Sequence, residues 1–222
     1  PKMVYCTGHT EHPIVSGKSN PIVAREGIPF LALAAVLVVL ALRYGEWWMA
    51  LGPLVAFILL FLLFRDPRRD VPPVALGIVS PVDGEVVEVG TTDRCVVQGA
   101  AHRIRIRINA LGTYTARSPI EGQVMDLRSR TEGVAPGCPV NALWVSTDEG
   151  NSVVLQFHDY RLGFAPVSFV GLGERLGQGQ RCANTRLAKY AEVYLPIDGK
   201  VRVEPGQTVR AGEDLIGAVP HP

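Results

Sequence analysis

Two apolar runs near the start of the chain limit its fold more than any other feature. Ile28–Leu42 and Trp47–Phe64 are separated only by Arg43-Tyr44-Gly45-Glu46. As helices they would be roughly 22 and 27 Å long, slightly short of a hydrocarbon core of about 30 Å. One continuous helix would carry Arg43 and Glu46 into lipid, which is costly. The pattern therefore predicts a transmembrane helical hairpin; the alternative is a single span at 47–64 with a re-entrant first run.

The charges that flank these runs predict the orientation of the hairpin. Basic residues precede and follow it, namely Lys18, Arg25, Arg65, Arg68 and Arg69. Because basic flanks remain on the cytoplasmic side, we expect both ends and the following domain to be cytoplasmic, at the inner membrane. A cleaved signal peptide is not expected, because the second apolar run follows the first at once and no small-residue cleavage site intervenes.

Composition excludes several other classes of protein. The 22 basic and 21 acidic residues give a formal charge of +1, which argues for no nucleic-acid partner. The four cysteines lie far apart and without a CxxC pair, which is typical of neither a disulfide framework nor a zinc cassette. Cys6, His9 and His12 lack a nearby fourth ligand, so no metal site is expected.

The rest of the chain is typical of a mainly β domain. We divide the sequence into a polar tail (1–23), the hairpin (24–66), a proline-rich linker (67–77) and a β-rich domain (78–222). Alternating or β-branched stretches predict strands at 86–89, 103–108, 152–157 and 192–195. The stretch from His102 to Ile108 alternates almost perfectly, which predicts a strand with one wet, basic face.

A short pattern recurs three times in this domain. Ser80–Val86, Ser118–Val124 and Leu195–Val201 each place a proline-led turn with an acid–glycine pair before a strand. The last copy continues to Glu213 in a pattern that resembles the barrel-sandwich fold of lipoyl and biotin carriers. The carrier lysine at a hairpin tip is missing, so we interpret the repeats as architectural.

From Ala24 onward, ordered motifs resemble the short, membrane-anchored class of phosphatidylserine decarboxylases. The matching stretches are Ala24-Arg25-Glu26-Gly27, Phe64-Arg65-Asp66-Pro67, Ile78–Val86 and Val193-Tyr194-Leu195-Pro196. The resemblance implies a decarboxylase-like β domain behind a membrane anchor. In that family the chain cuts itself at a Gly-Ser bond, and the serine becomes a pyruvoyl group. This ketone forms a Schiff base with the substrate amine and accepts electrons as carbon dioxide leaves.

At the positions that carry this chemistry the sequence departs from the family. The resemblance places the Gly-Ser pair at Ala188 and Lys189, and the family's histidine at Tyr114, while Asp83 matches the family's acid. The β-carbon of lysine carries no heteroatom that could attack a carbonyl and then leave. The sequence therefore predicts that the pyruvoyl cofactor is absent and that no catalytic residues remain; Asp83 is interpreted as a turn former.

Other residues could in principle substitute for the missing groups. Cys182 and Thr185 carry β-heteroatoms, but they lie seven and four residues before the serine position and neither follows glycine. His102 or His158 could replace the missing base, yet no base supplies the missing β-heteroatom. Lys189 could form Schiff bases itself if it were buried.

Three functions remain open at this point. The first is a non-catalytic, accessory subunit of an integral membrane protein complex, in contact with the bilayer. The second is an active phosphatidylserine decarboxylase-type lyase of phospholipid biosynthesis, which the resemblance supports by analogy. The third is a module that binds a phospholipid headgroup without chemistry. The sequence favours the first.

Overall fold

The computed structural model describes residues 23–93, 99–128, 142–160, 166–168, 170–185 and 187–220. Most of the predicted polar tail lies outside these ranges, as do Cys6, His9 and His12. Within them, the chain forms two helices followed by fourteen strands.

The two apolar runs form an antiparallel helical hairpin. Helix α1 spans Ile28–Tyr44 and helix α2 spans Leu51–Leu63, with 3-10 turns at Arg25–Gly27 and Trp47–Ala50. The base is closed by a backbone hydrogen bond from Ala24 N to Phe64 O of 2.9 Å. Gly27 is needed there, because a Cβ at this position would lie 2.4 Å from the Phe64 ring. The structure thus contains a helix in each of the two predicted apolar runs.

The membrane-spanning part is not supported. Neither described helix has the combination of length and apolar character that crossing a bilayer requires. The second predicted run began at Trp47, but its first four residues are used in the 3-10 turn, so α2 has only 13 residues.

The remainder is mainly β, as predicted. The strands are β1 Gly77–Val79, β2 Gly84–Thr92, β3 Ala101–Ile108, β4 Thr115–Arg117, β5 Gly122–Arg128, β6 Ala142–Ser146, β7 Ser152–Tyr160, β8 Val167–Ser168, β9 Arg175–Leu176, β10 Arg181–Asn184, β11 Ala188–Pro196, β12 Lys200–Val201, β13 Thr208–Val209 and β14 Leu215–Ala218. They form one eight-stranded sheet, in the order β13-β2-β3-β11-β7-β6-β5-β9, and two three-stranded sheets, β1-β14-β12 and β4-β10-β8. All four predicted strands lie within β2, β3, β7 and β11.

One hydrophobic core joins the three sheets, with buried residues from β1, β3, β7, β10 and β14 in a single cluster. Strand β3 shows how the sequence produces it. Ile104 and Ile106 are fully buried, whereas Arg105 and Arg107 on the other face remain partly exposed. The predicted basic face is confirmed, but it is neutralised: Arg103 pairs with Glu88 and Arg107 with Glu85 on the adjacent strand.

The proline-led repeats are architectural, as interpreted. Each precedes a strand, namely β2, β5 or β12. In the first two copies the serine hydroxyl donates to the carbonyl two residues on, Ser80 to Val82 at 2.7 Å and Ser118 to Ile120 at 2.8 Å. These copies also exchange backbone bonds, from Val79 N to Pro119 O and from Arg117 N to Pro81 O. The likeness to barrel-sandwich carriers stays a prediction.

The segment between the hairpin and β1 lies against the β domain. Arg69 donates to Asp83 at 2.9 Å and contacts Glu213 at 3.4 Å. Val71 packs so closely on Gly179 that a Cβ there would lie 2.4 Å from it. The hairpin is therefore connected to the β domain by a segment that is itself bonded to that domain.

Candidate functional site

The positions of the predicted degenerate site come together where the hairpin meets the β domain. Tyr114, Ala188 and Lys189 line one cavity of about 80 Å³, with Leu63 of α2 on the same wall. Thr185 connects the two chain segments, because its backbone N–H and its hydroxyl both donate to the Tyr114 carbonyl, at 2.9 and 2.8 Å. Asp83 lies behind the cavity, where its carboxylate accepts from Thr113 N at 2.9 Å.

Asp83 has the bonding of a structural residue. One carboxylate oxygen accepts from Arg69 and from Thr113 N, and the other accepts from Ala211 N at 2.7 Å. These bonds join the linker, the loop after β3 and the loop after β13. Both oxygens are used within the fold, but these bonds reach distant segments rather than the backbone of Asp83's own turn, so its interpretation as a turn former stays a prediction.

Tyr114, which the resemblance assigns to the family's histidine position, is directed at the hairpin. Its hydroxyl donates to Glu26 Oε2 at 2.7 Å, and its ring lies 4.9 Å from the Phe64 ring, measured between centroids. Phe64 in turn stacks on Phe30 of α1 at 5.9 Å. The side chain that stands where a base is expected therefore attaches the helices to the β domain.

We expect Tyr114→Phe to lower the free energy of unfolding by about 1–3 kcal/mol, because the hydrogen bond it removes has a charged acceptor. Chemical unfolding in detergent would measure the change. The matched control is Tyr44→Phe, since Tyr44 is 83% exposed at the hairpin turn. Equal effects of the two substitutions would contradict the role given to the Tyr114 hydroxyl.

Lys189 is exposed, while Ala188 beside it is buried in the core. Its ammonium lies 5.1 Å from the centroid of the Tyr190 ring, over which Arg105 also stacks at 4.4 Å. Schiff-base chemistry by Lys189 was predicted only for a buried side chain, and this condition is not met.

The other residues with a β-heteroatom are held in structural bonds. Cys182 lies in β10, where burial raises the pKa of its thiol to about 12, and Sγ is 3.5 Å from the Ala116 carbonyl oxygen. Thr185 does line the cavity, but its hydroxyl donates to the Tyr114 carbonyl. Neither stands at the position that the resemblance assigns to the family's serine.

The two candidate replacement bases are elsewhere. The cavity lining includes neither His102 nor His158. His102 Nε2 lies 3.0 Å from the Ile197 carbonyl oxygen. His158 Nε2 lies 2.9 Å from Glu192 on the outer face of the eight-stranded sheet, where the Tyr194 hydroxyl also donates to that carboxylate at 2.5 Å. Neither histidine replaces a base in the cavity.

Glu192, which His158 and Tyr194 contact on this outer face, has a strongly shifted pKa. Burial opposes its ionisation, but hydrogen bonds from His158 and Tyr194 outweigh burial and lower the pKa of Glu192 to about 2, from an ordinary 4.5. A depressed carboxyl pKa stabilises the fold above the ordinary value, and this stabilisation is lost as the pH falls through the folded value.

Glu192→Gln should therefore cost on the order of 3 kcal/mol at neutral pH, and the difference from the unchanged chain should shrink between pH 4.5 and 2. Unfolding curves at several pH values would measure this, with Glu149→Gln as control because Glu149 is exposed. A difference that stays constant over this range would contradict the ionised role of Glu192.

A buried charge cluster next to the cavity was not predicted. Asp66 is fully buried; its carboxylate accepts from Thr115, contacts Arg181 at 2.9 Å and lies 3.7 Å from Arg117. Burial raises the pKa of Asp66, despite the bond from Thr115 and the two arginines, and burial lowers the pKa of Arg117. The cluster fixes the exit of α2 on β4 and β10. The Phe-Arg-Asp-Pro motif contained the acid, but nothing local indicated its partners.

The chain is similar to curated proteins over most of its length. It is 31% identical over 205 residues to a phosphatidylserine decarboxylase proenzyme from Nitrosomonas eutropha, covering 89% of this chain and 95% of that protein. It is 34% identical over 218 residues to the proenzyme of that name from Symbiobacterium thermophilum, covering 93% and 100%. For the one from Burkholderia mallei the identity is 29% over 210 residues, covering 91% and 97%.

No protein-family model matches the chain. Among solved structures it is similar to the glucose permease IIA from Mycoplasma capricolum, with a TM-score of 0.41 and 17% identity over 64% of this chain and 94% of that one. That similarity is too low to support a conclusion.

Proposed function

This chain belongs to the phosphatidylserine decarboxylase proenzyme family, and on that premise we propose that it is a non-catalytic member that serves as an accessory subunit of a membrane protein complex. The observation that carries the proposal is that Ala188 and Lys189, which the resemblance assigns to the family's Gly-Ser pair, line the cavity beside Tyr114. Without self-cleavage there is no pyruvoyl group, and the decarboxylation has no electron sink.

Lys189 cannot carry out the self-cleavage reaction of the family. Self-cleavage needs an oxygen on the β-carbon that attacks the preceding carbonyl, forms an ester and then departs as the carboxylate. In lysine the β-carbon carries only carbon and hydrogen, so neither the ester nor the elimination is available. With Tyr114 bonded to Glu26 and Asp83 bonded to Arg69, the family's base positions are also engaged elsewhere.

The exposed surface of the hairpin supports a membrane location. Large apolar side chains are exposed along both helices, among them Leu33 (60%), Val39 (63%), Leu59 (59%) and the turn residues Trp47 (79%) and Trp48 (61%). A patch of this extent on a protein surface calls for lipid or a partner to cover it. The basic flanks support the cytoplasmic side for the β domain. The complex that receives the subunit would contact the same helices.

An active decarboxylase is the second candidate, and the names of the relatives favour it. It would need a self-cleavage site other than Lys189. Thr185 is the residue to test, since it lies in the cavity and its β-carbon bears oxygen. The Thr185 hydroxyl now donates to the Tyr114 carbonyl. It would have to break that bond before it could attack the Asn184 carbonyl.

Turnover of phosphatidylserine by the purified, reconstituted chain separates the two candidates. We expect no release of carbon dioxide above that of protein-free vesicles. Turnover that carbonyl reagents abolish would establish the second candidate, and loss of that turnover in Thr185→Ala would locate its cofactor.

The accessory role has its own test. A tagged chain extracted from native membranes in mild detergent should elute with a stoichiometric membrane partner, and deletion of residues 1–23 should weaken that association without unfolding the β domain. A monomer with nothing attached would contradict the subunit role.

A further inference from the structure

We propose that the cavity beside Lys189 binds the phosphate group of an anionic phospholipid that carries no amine. This inference rests on the proposed function and names the ligand class of the same cavity. It removes the need for an amine that a decarboxylase of amine-bearing lipids has, since the ketone of such an enzyme must receive an amine.

The first observation is a buried hydroxyl without a partner. Thr113 is 4% exposed and lines the cavity, and its Oγ1 makes no hydrogen bond within the described part of the chain. Leaving a buried hydroxyl unpaired is unfavourable by about 1–3 kcal/mol, so the site calls for a polar group supplied from outside the chain. The adjacent Thr185 hydroxyl is already used on Tyr114.

The second observation is the charge at the cavity. Among its described lining residues, Lys189 provides the single formal charge, and the lysine is exposed enough to turn toward a ligand. The two carboxylates bonded to Thr113 and Tyr114 of the lining are engaged: Asp83 also pairs with Arg69, and Glu26 accepts from Tyr114. A cation at the same cavity as an unpaired hydroxyl attracts an anionic oxygen and repels an ammonium group.

The third observation is the apolar wall. Leu63 at the end of α2, Ile108 and Leu187 line the same cavity, and its volume of about 80 Å³ admits a small polar group rather than a whole lipid. The exposed apolar side chains of α2, including Leu59, continue from Leu63. A phosphate held at Thr113 and Lys189 can therefore leave its acyl chains along the hairpin, which a free phosphate ion would not use.

Binding is measured on the detergent-solubilised full chain with three probes: dihexanoyl phosphatidylglycerol, dihexanoyl phosphatidylserine, which has the same net charge but carries an amine, and inorganic phosphate. We expect phosphatidylglycerol to bind at least tenfold more tightly than either of the other two. Equal affinity for the two lipids overturns the proposed preference. If inorganic phosphate binds as tightly as phosphatidylglycerol, the ligand is free phosphate and not a lipid, and the proposal is overturned.

Variants assign the binding to these residues. Lys189→Ala should weaken phosphatidylglycerol about tenfold, Lys189→Arg should retain it, and Lys200→Ala, at another exposed lysine, should leave it unchanged. Thr113→Val should weaken binding severalfold. The free energy of unfolding should stay the same or rise, because the substitution removes an unpaired hydroxyl. If the threonine is purely structural, binding should stay the same and the free energy of unfolding should fall. Unchanged binding in both Lys189→Ala and Thr113→Val overturns the site.

The experiment is carried out on chain whose intact mass shows no cleavage. A failure to bind phosphatidylglycerol then refutes this ligand and leaves the absence of the pyruvoyl group standing. Cleavage refutes the proposed function whatever the lipid measurements give.

Discussion

Asp66→Ala should lower the free energy of unfolding by about 3–5 kcal/mol, because it breaks a buried ion-pair network. The substitution leaves Arg117 and Arg181 with 3% and 12% of their side chains exposed and without their acid. Two nearly buried cations would then face each other at the exit of the hairpin. Urea unfolding of the reconstituted or detergent-bound chain would measure the loss.

Asp70→Ala is the matched control, because Asp70 lies four residues along the same segment and is exposed. Its effect should stay within about 0.5 kcal/mol. Asp66→Ala combined with Arg117→Ala should cost less than the sum of the two single changes, since both belong to one network. A loss below 1 kcal/mol for Asp66→Ala would show that the cluster tolerates an unpaired arginine and would contradict its structural role.

The second large effect concerns the hairpin. Substituting lysine for Leu33, Val39 and Leu59 together should abolish flotation of the chain with lipid vesicles. All three side chains are about 60% exposed, so the fold does not depend on burying them. Each lysine placed in a hydrocarbon environment is unfavourable by about 2.5–3.5 kcal/mol, which makes three of them prohibitive.

Leu172→Lys is the control for that experiment, because Leu172 is 68% exposed on the β domain, away from the helices. It should float as the unchanged chain does. If the triple variant floats as well as the unchanged chain, the apolar surface of the hairpin does not contact lipid. A protein partner would then have to bury that surface.

Local pattern was sufficient wherever a residue's role depends on its neighbours in sequence. The alternation of β3 predicted both its buried isoleucines and its arginine face, and the proline-led repeats predicted the turns before β2, β5 and β12. The helical hairpin followed from two apolar runs and a short polar turn. The lengths of its helices could not be predicted, because nothing in the sequence of Trp47–Ala50 distinguishes a 3-10 turn from the start of an α-helix.

Roles that depend on distant partners could not be read in this way. Asp66 bonds Arg181 across 115 positions of sequence, and Tyr114 bonds Glu26 across 88. The family resemblance identified Tyr114 and Lys189 as substitutions but gave no indication of what the new side chains contact. The unpaired Thr113 hydroxyl likewise has no signature in sequence, because it is defined by the partners that surrounding residues do not provide.

The measurement that tests the central claim most directly is the intact mass of the purified chain. The absence of a β-heteroatom at Lys189 predicts one species at the full 24.0 kDa, with no reactive carbonyl. Two fragments that meet between Ala188 and Lys189, or between Asn184 and Thr185, with a carbonyl on the amino end of the C-terminal piece, would contradict it by showing that the chain forms a carbonyl cofactor.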